Sequence, residues 1–73
     1  MKLGTKDGLY QVTWIGHMAE ALRAMEWCHE TFGQGWGEYS RGIGPGRSNI
    51  AQHNFLFHRL YHAQWFMLKW NPS

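Results

Sequence analysis

Between residues 9 and 15 the side chains alternate in character, with Tyr10, Val12 and Trp14 on one side and Gln11 and Thr13 on the other. That two-residue period predicts a strand with one face in a core. Gly16 interrupts it, and from Met18 to Phe32 the period lengthens. Met18, Ala21, Leu22, Met25, Cys28 and Phe32 share a stripe, while Glu20, Arg23, Glu26 and Glu30 lie across from them. At about 100° per residue this predicts an amphipathic helix, with Gly33 as its stop. A second strand is predicted over GWGEYSR, residues 35–41, and a third over 50–57, where Phe55 and Phe57 oppose Asn54 and Leu56. The final segment, 59–70, puts Leu60, Ala63, Phe66, Met67 and Trp70 on one helical stripe, and Asn71 and Pro72 end it. Two stretches carry neither period. MKLGTKD reads as a frayed end or a strand lead-in, and RGIGPGRSN, residues 41–49, as a loop held irregular by its glycines and proline.

The order β-α-β-β-α predicts one α+β domain over residues 1–73, a three-stranded sheet with two helices on one face. Its core would bring Val12, Trp14, Phe55 and Phe57 against Leu22, Met25, Leu60 and Met67. The opposite sheet face, with Gln11, Thr13 and Asn54, stays open.

Composition adds a constraint on stability. A chain of 73 residues buries only about 60% of the surface of its unfolded form, and domains of this size usually need a staple. The lone cysteine, Cys28, offers no intrachain disulfide, which together with the absence of a signal-peptide pattern predicts a reducing cytoplasm. No segment approaches the ~20 apolar residues of a membrane span. Aromatic residues make up 16% of the chain, as many as the charged ones, and the net charge is only +2. The cations form no run, so composition does not point to a strongly electrostatic nucleic-acid binder.

Candidate chemistry is sparse. His58 and His62 are four apart, the spacing that puts two imidazoles on one side of a helix. That is half a zinc site; His17, Cys28, His29 and His53 supply no CxxC or HExxH partner motif, so neither a metal nor a cofactor is expected. His53, Asn54 and the following HRLYH can be read as an HNH-like ββα metal nuclease, but the acidic or double-histidine element that should precede them is missing. GIGPGRS lacks the GxxxxGK[ST] spacing of a phosphate loop, and a strand follows it where a helix is required. Cys28 and His29 are adjacent in a helix and point about 100° apart, so they make no dyad. The expectation is a protein without enzymatic activity.

The misfits are two tryptophans. On the helical projection Trp27 falls among Glu20, Arg23 and Glu30, away from the apolar stripe, and Trp65 falls with His58, Tyr61, His62 and Lys69. Tryptophan and tyrosine are enriched where binding energy concentrates. The predicted partner-binding set is therefore Trp27, Trp65, Tyr61, His58, His62 and Lys69, with Arg41 and Arg47 at the glycine-rich loop. A homodimer is the simplest interface, because it also relieves the shortage of core. The alternative is a single-stranded nucleic-acid binder that stacks bases on an open sheet face carrying Tyr39 and Arg41.

EWCHETFG (26–33), the glycine-rich loop, the FLF strand and the ending AQWFMLKW (63–70) together resemble small accessory proteins of tailed bacteriophages. Those commonly end in A-x-x-F-x-L-[KR]-W, matched here by Ala63, Phe66, Leu68, Lys69 and Trp70. The resemblance covers about two-thirds of the chain and departs at His62, where an acidic residue commonly precedes the alanine. It carries no catalytic residues. It implies a phage accessory protein of the host cytoplasm that binds a host or phage protein, including as an inhibitor or modulator.

Overall fold

The computed structural model describes residues 1–42 and 49–70. Its elements are β1 (Lys2–Lys6), β2 (Leu9–His17), α1 (Met18–Phe32), β3 (Gly37–Gly42), β4 (Ile50–Phe57) and α2 (Leu60–Trp70). The architecture is α+β, with a four-stranded sheet in the order β1-β2-β4-β3 whose neighbours are all antiparallel. Three strands were expected. The fourth, β1, comes from the stretch read as a lead-in, and every residue of it is exposed, so it carries no hydrophobic alternation. What forms it is the turn. Asp7 and Gly8 both have positive φ, 52° and 80°, and close Lys6 onto Leu9 as a two-residue hairpin whose twist matches that of its strands. Asp-Gly is the sequence signal for that turn.

The central strand β4 pairs with β2 on one side and β3 on the other. Its register places Phe55 beside Val12 and Tyr39, and Phe57 beside Tyr10 and Gly37. Gly37 has φ 152°, and a Cβ there would lie 1.7 Å from the Leu56 carbonyl oxygen, so β3 approaches β4 through a position that only glycine fills. β2 and β3 run parallel to each other with β4 between them, and α1 makes the crossover. The amide of Met18 at the start of α1 donates to the Asn49 carbonyl, 3.0 Å away, which ties the helix to the segment entering β4.

Both helices pack on one sheet face, as the sequence predicts, but in a different phase. α1 turns Ala21, Ala24 and Cys28 inward and leaves Leu22 56% exposed; α2 turns Ala63 and Phe66 inward and leaves Leu60 41% exposed. Small residues on α1 let it sit low over a sheet already filled with rings. Phe55 lies at the centre, 4.8 Å from Phe66, 5.2 Å from Trp14 and 5.7 Å from Trp36 between ring centroids. Aromatic rings bury more area than leucine does, so the helices rotate to enclose them. The leucines are left at the margin.

Candidate functional site

That rotation decides where the outward residues go. Trp27 does not face solvent. It is half-buried and packed within its own chain, with Phe32 at 5.3 Å, Phe66 at 6.1 Å, and Trp65 and Trp70 at 6.3 Å each between centroids. The expected outward position is corrected: Ala21 and Cys28 belong to either helical phase, and the one adopted swings the Trp27 indole into the seam between α1 and α2.

Trp65 does face outward. On α2, Tyr61, Trp65 and Leu68 recur at the spacing that lines up one helical face, and they are 58%, 48% and 84% exposed. The opposite side of the same helix is buried through Ala63 and Phe66. α2 is therefore apolar on both sides, a pattern that in a soluble fold belongs to a covered helix. The outward rings are also braced. Trp65 stands edge-on to Phe32 at 5.3 Å and to Trp27 at 6.3 Å, His62 stacks on Phe32 at 4.2 Å, and Tyr61 meets His62 at 4.4 Å. Trp27 thus supports the outward face from beneath.

Charge is divided between the helices. No acidic residue occurs after Glu38, so α2 carries only Lys69 and His62, with His58 and Arg59 just ahead of it. Three of the five acidic residues, Glu20, Glu26 and Glu30, are exposed on α1. Burial against Phe32, with a smaller push from the Arg59 guanidinium, holds the His62 imidazole below its ordinary pKa. His58 precedes α2, so the helical spacing expected to pair it with His62 is not realised. Lys69 is exposed, with its Nζ 5.8 Å from the Trp70 ring centroid. Arg41 is exposed on β3, away from this face, and Arg47 lies outside the described residues.

His53 is fully buried. Its Nε2 is 2.9 Å from the Gly16 carbonyl oxygen, which can only accept, so Nε2 carries the hydrogen and Nδ1 accepts from the Tyr39 hydroxyl at 2.8 Å. Asn54 is on the opposite face of the sheet, where Oδ1 accepts from Thr13 and Gln52, and Nδ2 donates to Ser40. His53 and Asn54 therefore share no site, against the nuclease reading. Tyr39 belongs to the helix-covered face, where burial raises the pKa of its phenol and Arg41 partly offsets that. Among the described residues the open face carries Gln11, Thr13, Ser40, Gln52 and Asn54 in one hydrogen-bonded chain, without the aromatic platform that base stacking needs.

Cys28 is enclosed, and burial pushes its pKa up to about 12, so it is a neutral thiol near neutrality. Among the described residues no three His, Cys, Asp or Glu side chains converge as a metal site would require, and no helix is long and apolar enough to cross a membrane. Comparison with protein-family models, curated proteins and solved structures finds no match to this chain.

The tyrosine–histidine pair and the Trp36 contribution to the core were missed from sequence. Trp36 sits between glycines, where a period cannot be counted. The Tyr39–His53 contact depends on β3 pairing with β4 in one register, which no local pattern states.

Proposed function

We propose that this chain is a small protein-binding protein without enzymatic activity, which docks through the outward face of α2, and that its first partner is a second copy of itself. The observation that carries the reading is the aligned exposure of Tyr61, Trp65 and Leu68 on a helix whose other side is already core. Charge supports the choice of occupant. α2 and its approach are basic, and the exposed side of α1 is acidic, so two copies meeting helix layer to helix layer would set α2 of each over α1 of the other, as a two-fold pair allows. Arg59 and Lys69 supply the positive charge at the rim of this surface, with His58 and His62 beside them, Tyr61 and Trp65 are its anchors, and Trp27 is their support. Arg41 stands apart on β3.

The phage-like ending falls on the same helix: Ala63 and Phe66 hold it to the core, and Leu68 is the most exposed of its large hydrophobic residues. The resemblance of that ending to phage accessory proteins supports reading the same face as one that inhibits or modulates a protein of the host cytoplasm. The test is light scattering across a dilution series, with Leu68→Glu as the interface variant. The wild type is expected to pass from dimer to monomer on dilution, and Leu68→Glu to stay monomeric with unchanged circular dichroism. A wild type that is monomeric at every concentration overturns the self-association reading.

A further inference from the structure

A cleft of about 260 Å³ opens where the start of α1 meets the end of α2, lined by Met1, Trp14, Ile15, Glu20 and Trp70. It shares no lining residue with the Tyr61–Trp65–Leu68 face. Among the described residues its lining is selective: two indole rings, a thioether, an aliphatic side chain and one charged side chain, the carboxylate of Glu20. We propose that this cleft binds a compact alkylated ammonium group. The π-faces of indoles attract cations, tryptophan most strongly among the aromatic residues, and a quaternary ammonium brings methyl groups that the apolar wall can cover. A carboxylate at the rim supplies the opposite charge. Among the described residues no basic side chain lines the cleft, so an anion would meet Glu20 without one to offset it, and an uncharged apolar group would leave that carboxylate unused.

Three details make the arrangement a built one. Trp14 and Trp70 both pack on the buried Phe66 ring, at 5.8 and 6.4 Å between centroids, so a rigid residue sets the separation of the two indoles. Gly16 brings the polar edge and the carboxylate together: a Cβ there would lie 3.1 Å from Trp14 Nε1 and 3.7 Å from Glu20 Oε1. A side chain at that position would crowd the indole and the carboxylate at once. Lys69 Nζ lies 5.8 Å from the Trp70 ring centroid without lining the cleft, so this ring already takes a cation from the chain itself.

An ammonium group of this class reaches the cleft either as a free small cation or as a methylated lysine on a peptide, and the two arms of the experiment separate them. The tryptophan indole N–H resonances of the full chain are followed while choline, its uncharged tert-butyl analogue, and a trimethyllysine peptide are each titrated in. The expected result is saturable movement of the Trp14 and Trp70 signals with choline, and binding of the uncharged analogue weaker by about tenfold, which corresponds to about 1.4 kcal/mol. Tighter binding of the peptide than of choline assigns the methylated-lysine source; equal or weaker binding assigns the free cation. Glu20→Gln, at an exposed position, is expected to weaken choline several-fold and leave the analogue unchanged. Equal binding of choline and its analogue overturns the proposal by showing an apolar cleft only, as does absence of saturable movement at Trp14 and Trp70. Repeating the titration on Leu68→Glu keeps the result independent of self-association.

Discussion

Tyr39 and His53 illustrate how much one hydroxyl can decide. His53 has no solvent contact, and each ring nitrogen has one partner, Gly16 on one side and Tyr39 on the other. Removing the hydroxyl leaves Nδ1 buried without a donor, and an unmet buried acceptor costs about 1–3 kcal/mol. Tyr39→Phe is therefore expected to lower the unfolding free energy in denaturant by that amount with an unchanged slope. His62 makes a second prediction. Burial on Phe32 and then the Arg59 charge hold its folded pKa below the ordinary 6.5, so the folded state resists the proton that the unfolded state accepts. Its contribution to stability is complete above pH 6.5 and declines as the pH falls from there through the lower folded value. A thermal profile against pH should show that decline, and His62→Phe should flatten it.

At the scale of elements, β2 and β4 were legible because apolar and polar side chains alternate along them, Val12 with Thr13 and Phe55 with Asn54, although in β4 the second face is buried as well, through Asn54 and Leu56. β1 was not, because a wholly exposed strand has no hydrophobic period and is specified by the Asp7-Gly8 turn alone. The helices were legible in extent, and their phase was not. Ala21 and Cys28 fit two stripes, and the choice between them is made by rings on other elements, Trp65, Phe66 and Trp70, which draw Trp27 into the seam. Trp27→Ala is accordingly expected to cost about 3 kcal/mol of stability, in the range of large aromatic deletions, measured by chemical unfolding at concentrations where the protein is monomeric. An exposed Trp27 would show almost no change. Gly37→Ala tests the sheet: the added Cβ meets the Leu56 carbonyl in a backbone conformation that suits glycine alone, and a loss of roughly 2–4 kcal/mol is expected. Amide exchange should show it first at the β3–β4 pairing.

For the whole molecule, the outward site was half visible in the sequence. The polar company of Trp65, Tyr61 and Lys69 on the helical projection located the face. The buried support beneath it, Trp27 and Phe32, required the contact between two helices that meet only in the fold. One side of the layer is closed by the sheet, and the other presents a braced aromatic ridge beside an acidic helix. A small domain with little core to spare gains most from covering such a ridge, and a second copy offers the matching charge. The most direct measurement is an isotope-filtered nuclear Overhauser experiment on a mixture of labelled and unlabelled chains. The account predicts intermolecular cross-peaks from Tyr61, Trp65 and Leu68 to the Glu26 and Glu30 side chains of the other copy. Cross-peaks confined to the strand edges, or none from these three residues in a sample shown to be dimeric, would contradict it.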